Sequence, residues 1–600
     1  MLFFHNSEKK TILRGFNKVV LENDRAAWIW AKGHFFDNNG HMWLDDEIHE
    51  WLAMRLSSRH FHEIVPDMNG SFSVVLVWVD TSIIEVGIDR FGTIPIYYSL
   101  GNNGLIVSDD FWKVTNHISS IDYNPDAVLS MVYLGYVAGY ETLLTGINEF
   151  PQAATHRISF VNNNPSISSK RYWMLSYRTD SRLTPKELRD KLAQIYDNVF
   201  TRHCEAITDR GWDLHIPLSG GLDSRLIAGM FSRKNIPLQA FSYGPSGNME
   251  TKYASQIADI LGIPLRFIPI DNPKLIEPTL VQALSKRISM KGRFSIGLGA
   301  QLSLDKYGRK DIYIPGHTGD QLTGKWLSRP ALRVGTELQA IQQLINMYII
   351  PVFDDMGAEL LPGIWNDGVK TKLIAKDWKF SIDDPIGSLA RWNFENRQRR
   401  MSISELQIYD QFGHWMLPYY DYELFDFFSD LPIEQRYQQR LFIDTLIHNI
   451  FVDDLAPLAQ IPWAHHGNLQ KPDLTWRDWV LLKMPNTNLD DWIIQKTTDS
   501  KNREHIQSIG VRSQKLSGPD PFDNWWYDYP SFRQFFIDEF RTWDGLNGML
   551  DVTALVNLLQ KPLPRLFISY SLPAILTLCY FQRIIETTTT TNYIKRESMV

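Results

Sequence analysis

Leu218-Ser219-Gly220-Gly221-Leu222-Asp223-Ser224 is the stretch on which the reading of this chain turns. It follows Leu214-His215-Ile216-Pro217-Leu218, a short apolar run that reads as a strand, and leads into Ser224 to Phe231, which reads as a helix. Strand, glycine turn and helix put this loop where a parallel sheet exposes its carboxyl edge, the usual ligand position in such folds. Glycines there let backbone N–H groups approach phosphate oxygens, the hydroxyls of Ser219 and Ser224 can donate hydrogen bonds, and the helix N-terminus favours anions. Asp223 works against this, because a carboxylate repels bare phosphate. Its presence makes sense with a Mg²⁺ between it and a pyrophosphate, since hard cations prefer carboxylate oxygens. An ordinary glycine turn is the competing reading.

Working outward, Gln239 to Tyr243 reads as a second strand and Lys252 to Leu261 as a second helix. This alternation predicts a parallel α/β sheet with right-handed crossovers. Upstream, Pro185 to Glu205 carries Leu188, Leu192, Ile195, Tyr196 and Phe200 at helical spacing, a helix leading into this domain. Before it the texture is short apolar runs broken by turn residues, with Phe72 to Val79 and Ile83 to Ile88 as adjacent strands. Between the two textures lies a polar connection, Pro165 to Arg182, which marks a boundary. Beyond Trp326 helical patterns with aromatic anchors dominate. Trp525-Trp526-Tyr527 and an apolar helix from Ser569 to Ile584 read as core packing, and the threonine run Thr587 to Thr591 as a frayed tail.

Composition bounds these readings. A chain of 600 residues implies two large domains, or two plus an appendix. A hydrophobic fraction of 44% and a charged fraction of 22% are ordinary for a soluble globular protein. The net charge of -7 gives no footprint of non-specific nucleic-acid binding. Two cysteines, Cys204 and Cys579, support neither a disulfide scaffold nor a cysteine metal site and fit a reducing cytoplasm. No basic region followed by an apolar core opens the chain, and no stretch approaches the roughly 18 apolar residues of a membrane span, so no membrane association is expected.

The loop and its context resemble the PP-loop ATP pyrophosphatases, and within them the asparagine synthetase family with its β-lactam synthetase and lasso-peptide cyclase branches. Phe241-Ser242-Tyr243-Gly244 followed by Glu250, Tyr253-Ala254 and Leu261-Gly262 looks like the second strand and helix of these enzymes. Pro315-Gly316-His317-Thr318-Gly319-Asp320-Gln321-Leu322-Thr323-Gly324 is similar to their later metal-binding loop. The resemblance implies that a carboxylate attacks the α-phosphorus of ATP with release of pyrophosphate, with ATP and Mg²⁺ as the required cofactors. By residue, it implies that Leu218, Ser219, Gly220, Gly221, Asp223, Ser224, Ser242, Tyr243 and Gly316 hold ATP and pyrophosphate, and that Asp223 and Asp320 hold the magnesium. A lone aspartate in a glycine-rich turn is otherwise a turn former.

The same comparison supplies three catalytic candidates. His317 stands at the loop position of the family's glutamate and could act as general base toward an amine; a loop histidine bonded to backbone is the alternative. Glu395, in Glu395-Asn396-Arg397-Gln398-Arg399-Arg400-Met401, could orient a base or bind an amine, or simply face solvent. His466, in Ile461-Pro462-Trp463-Ala464-His465-His466-Gly467, lies where the family carries a lysine that stabilises negative charge, and a protonated imidazole could substitute for it. Arg225 adds a cation near the phosphates, or lies on a solvated helix face. Pro418 to Leu424 looks like the segment bordering the acceptor pocket.

Asn69-Gly70, Asp89 to Tyr98, Leu134 to Val137, Thr142-Leu143 and Gly146-Ile147 resemble the family's glutaminase domain, an N-terminal-nucleophile fold. An active glutaminase of this kind uses a cysteine directly after the initiator methionine, and Leu2 stands there, which implies no glutamine hydrolysis. The expected fold class is therefore α/β: a glutaminase-like β-sandwich with flanking helices over residues 1–175, a parallel-sheet adenylating domain over 176–475, and a helical extension over 476–600. The expected function is ATP-dependent amide formation of asparagine synthetase type, in which ammonia or an amine attacks an activated small-molecule or peptide carboxylate. Lasso-peptide or β-lactam type cyclisation and an ATP-binding pseudoenzyme are the alternatives, and adenylation of a tRNA base is disfavoured by the acidic balance. Partners are read as neither nucleic acid nor membrane, with a homodimer or a biosynthetic partner protein left open.

Overall fold

The computed structural model describes residues 1–600 except 6–10, 22–24, 82, 102–103, 119, 162–163, 178–181, 274–276, 289–291, 294, 296–309, 351–355, 463–468, 484–520 and 598–600. The first part of the chain forms two antiparallel sheets packed face to face. One has the order Ile147–Glu149, Tyr97–Gly101, Gly104–Ser108, Leu2–His5, Thr11–Arg14; the other runs Asn164–Arg171, Ala154–Val161, Ile84–Ile88, Asn69–Trp78, Ala26–Phe36, Asn17–Val20, with Met42–Leu44 also on Ala26–Phe36.

The central strand Asn69–Trp78 shows why this arrangement forms. Val75 and Val77 point between the sheets, where they meet Phe3, Leu105 and Val107. Phe72, Val74 and Leu76 point the other way, onto Ile48, Trp51 and Leu52 of helix Glu47–Leu56 and Phe61 of helix Phe61–Ile64. Both faces are covered, so the strand reads as an unbroken apolar run rather than an alternation. This is the expected sandwich with flanking helices.

After helix Pro185–Arg210 comes the expected parallel sheet, in the order Leu265–Pro269, Leu238–Gly244, Asp213–Pro217, Asp311–Tyr313, His414–Trp415, with every neighbouring pair parallel. Helices Leu222–Arg233 and Met249–Leu261 return the chain between strands. The loop at Leu218 therefore leaves the carboxyl end of the central strand. His414–Trp415 joins the sheet as a two-residue fifth strand that sequence periodicity is too short to reveal.

The helical remainder packs on the same core. One continuous cluster of buried side chains joins Phe111, Val128 and Tyr133 of the first part to Leu226 and Tyr313 of the second and to Phe536 and Ile575 near the end. Helix Leu572–Glu597 runs through the threonine run expected to fray. Its buried start has already met the cost of nucleation, and the hydroxyls of Thr587 and Thr588 bond back to the carbonyls of Arg583 and Ile584. Among the described residues, Phe567–Thr588 alone is long and apolar enough to cross a membrane, and 83% of its most apolar window is buried inside the protein.

Candidate active site

The loop after Asp213–Pro217 is held by its own hydroxyls. Leu218 N–H continues the pairing to Phe241 O (2.8 Å), and the Ser219 and Ser224 hydroxyls lie 3.1 Å apart. Gly221 N–H donates to Ser219 Oγ (3.2 Å), and Ser219 N–H donates to Ser224 Oγ (3.1 Å). Gly221 caps helix Leu222–Arg233 with no side-chain bond to its first turn, so N–H groups there are left for a ligand. Ser242 and Tyr243 lie on the adjacent strand, beyond the Pro217–Phe241 pair and beside the loop.

A second loop closes on the first. A Cβ on Gly316 would lie 2.9 Å from the Ser224 nitrogen, and one on Gly319 would lie 2.5 Å from Asp223 Cγ. Only glycine permits this approach. The contact brings together Asp223 and Asp320, the two aspartates expected to meet. Asp223 is half-buried, yet its Oδ1 is closed off from solvent with no hydrogen-bond partner among the described residues. Burial first, and then the Asp320 carboxylate, push the Asp223 carboxyl well above the usual carboxylate range.

Three charged residues that sequence reading did not weigh complete the surroundings. Lys325 Nζ lies 3.9 Å from Asp320 Oδ2, and its charge also acts on Asp223 and Glu250. Glu250 had been noted only as part of the helix after the second strand; burial pushes it up to about 7. Glu405, on segment Ile403–Gln411, places Oε2 3.3 Å from His317 Nε2. His317 is therefore paired with a carboxylate rather than bonded to backbone. The only sequence signal for Lys325 was its place one residue after the loop glycine Gly324, and for Glu405 there was none, since 88 residues separate it from its partner.

The other candidates fall elsewhere. Glu395 neither faces solvent nor joins His317: it is ion-paired with Arg171 at 2.7 Å, against the last strand of the antiparallel part. A pair this close to the sheet edge satisfies a carboxylate that a helix turn toward the sandwich would otherwise bury unpaired. His466 lies outside the described residues. Arg225 is neither on a solvated face nor free for phosphate: its guanidinium donates to the carbonyls of Gly220 (2.8 Å), Leu458 (3.0 Å) and Ile461 (2.9 Å), fastening the segment before residue 463 to the loop.

In the first part of the chain, segments that resemble a glutaminase face the parallel-sheet domain. Asn69 Nδ2 donates to Asp421 Oδ2 (3.1 Å), and Arg90 pairs with Asp426 (2.6 Å). Leu2 begins the strand Leu2–His5. Both cysteines are buried, and burial pushes their thiols up to about 12, far from the thiolate a nucleophile needs.

Residues 213–323, which hold both loops, match the family model described as asparagine synthase, and residues 49–173 match the one described as glutamine amidotransferase domain. The chain therefore carries an asparagine synthase domain and a glutamine amidotransferase domain, each matched over about a fifth of its length. Among solved structures it is similar to a glutamine phosphoribosylpyrophosphate amidotransferase from B. subtilis complexed with ADP and GMP, at 13% identity and a TM-score of 0.18. That match covers 51% of this chain and 58% of the other, so the chain spans little over half the length of that relative. No curated protein matches. The asparagine synthase match ends in the second loop, and the amidotransferase match ends just past the last antiparallel strand, Asn164–Arg171.

The residues fit a divalent cation on pyrophosphate. Among the described residues no group of three or more ligating side chains exists, but magnesium bound with nucleotide takes one or two carboxylates and fills its shell with phosphate and water oxygens. The unpartnered Oδ1 of Asp223 and the nearby Asp320 provide that pair.

Proposed function

We propose that this chain is an ATP-dependent carbon–nitrogen ligase of asparagine synthetase type that adenylates a carboxylate and makes an amide without hydrolysing glutamine. The observation that carries the reading is the Asp223 carboxylate, its Oδ1 closed off from solvent, set against Asp320 between two loops whose glycines Gly316 and Gly319 approach it closely. A site that holds a carboxyl in so unfavourable a place, with N–H groups directed beside it, suits a cation and a polyphosphate better than either alone.

A bound Mg²⁺, held by Asp223 and Asp320, would neutralise charge on the departing pyrophosphate. Ser219, Gly220, Gly221 and Ser224 orient the phosphates through N–H and hydroxyl donors. A substrate carboxylate oxygen bonds to the α-phosphorus as the bond to pyrophosphate breaks, and an amine or ammonia then bonds to the acyl carbon as AMP leaves. His317 is the base for that amine: with Glu405 accepting the Nε2 proton, the Nδ1 lone pair takes the proton the amine loses. Lys325 offers a permanent cation beside the loops, the charge that the expected lysine near His466 would have given.

The test is pyrophosphate release from the full chain with Mg-ATP, a panel of small and peptide carboxylates, and ammonia, amines or glutamine as nitrogen source. Carboxylate-dependent pyrophosphate and AMP are expected with ammonia or an amine and not with glutamine. Asp223→Ala should lower the rate by at least about a hundredfold, the scale of removing a group that meets charge developing in the transition state. Failure of the unsubstituted chain to bind Mg-ATP at all would sink the reading.

A further inference from the structure

One helical stretch changes pitch twice as it crosses from the amidotransferase domain to the phosphate loops. Pro385–Asn393 is α-helical, Phe394–Ser402 is a π-helix, and Ile403–Gln411 is a 3₁₀ segment. A π-helix of nine residues is far from the usual single-turn bulge, and such widened turns occur mostly at functional sites. Its polar side chains are buried on two sides. Toward the amidotransferase domain, Arg399 and Arg400 each place a guanidinium nitrogen 2.6 Å from a different oxygen of Glu149, and the Asn396 side chain accepts from Gly139 N–H at 2.8 Å. Toward the loops, Gln398 accepts from the Thr318 hydroxyl at 3.1 Å.

Thr318 is what makes this contact informative. A β-branched residue at φ +73° is a genuine outlier and persists only where its surroundings over-determine it. Here the hydroxyl is held from both sides, by Gln398 and by Tyr420 Oη at 2.6 Å. The next residue, Gly319, is in contact with Asp223, and the one after is Asp320. Burying two guanidiniums on one carboxylate (side chains 1–3% exposed) is a poor route to stability compared with apolar packing. Both guanidiniums also donate to the Gly139 carbonyl, so the π-helix that carries Gln398 is tied to the amidotransferase domain at two points.

We propose that Glu149 and Gln398 are positioning residues of the ATP site. Glu149 of the amidotransferase domain sets the π-helix, Gln398 holds Thr318 in its left-handed conformation, and Thr318 presents Asp320 to Asp223. On this account the domain without a usable nucleophile is kept because the second loop takes its shape from it. The inference rests on the reading that Asp223 and Asp320 bind Mg-ATP.

A double-mutant cycle on the full chain tests it, with Mg-ATP affinity and the thermal midpoint measured for Glu149→Gln, Gln398→Leu and the double variant. Each single change should weaken Mg-ATP binding by about tenfold, the scale of releasing one strained residue. The double variant should be no weaker than the weaker single, because both act through Thr318. Additive losses, or unchanged Mg-ATP affinity in Gln398→Leu, would overturn the positioning role alone. If the unsubstituted chain does not bind Mg-ATP, the proposed function falls as well. Should Glu149→Gln not fold, Glu149→Asp, which keeps the charge but draws it back from Arg399 and Arg400, takes its place in the cycle with Gln398→Leu, and the losses must again be non-additive.

Discussion

A carboxylate with one oxygen closed off from water beside a second carboxylate is disfavoured in its charged form, and Asp223 is in that position next to Asp320. Its folded-state pKa is raised above the ordinary value of about 3.9. Above that pH the folded protein without ligand holds a proton that the unfolded chain has lost, so stability falls as pH rises until Asp223 itself ionises. Asp89, raised to about 6 by burial, and Glu250, raised to about 7, add to the same slope. The contribution of Asp223 is therefore the difference between the unsubstituted chain and Asp223→Asn, both melted in chelator across pH 4 to 8. The unsubstituted chain should lose more of its thermal midpoint than the variant as pH rises. Parallel curves would mean that neither burial nor Asp320 raises the Asp223 carboxyl in solution.

At the scale of elements, the two loops are shaped against each other. Gly319→Ala would put a Cβ at 2.5 Å from Asp223 Cγ and 2.9 Å from Cζ of the Tyr419 ring, so the Asp223 carboxylate or the loop must move. Overpacking of this kind costs about 1–3 kcal/mol, and the loop escapes by moving Asp320 away. Mg-ATP affinity should fall by at least about tenfold while the thermal midpoint of the ligand-free protein changes little; calorimetric titration reads the first and a melt the second. The elements themselves were legible. Leu214 to Leu218, the glycine turn and Ser224 to Phe231 became Asp213–Pro217, the loop and Leu222–Arg233, because each carries a local period or a breaker. The aspartates of the site were legible for the same reason, each sitting in a glycine-rich turn. The π-helix was not: its sequence gives Arg-rich polarity without saying which partner each side chain meets, and the partners Glu149 and Thr318 are far away in the chain. Glu395 shows the consequence, read as a site residue and found in an ion pair with Arg171. The segment with His466 was read only through resemblance and lies outside the described residues.

For the whole molecule, the question is whether the amidotransferase domain is an appendage or part of the fold of its neighbour. Two observations oppose an appendage. The apolar core is continuous from Val128 and Tyr133 through Tyr313 to Ile575, so a cut near residue 175 exposes apolar surface on both products. The same cut takes Glu149 and the Gly139 and Glu141 carbonyls from Arg399 and Arg400, so an interface held by charge-assisted hydrogen bonds is lost with the apolar one. A typical domain has a total stability of only about 5–15 kcal/mol, so losing an interface of this kind is a large fraction of it. Residues 176–600 produced alone should therefore aggregate or elute as large soluble assemblies in size-exclusion chromatography. Producing residues 1–175 in the same cells should restore a complex of the mass of the full chain. A monodisperse 176–600 fragment with the melting temperature of the whole protein would show that the interface contributes little, and the amidotransferase domain would then be free to have some role of its own rather than serving to hold the second loop.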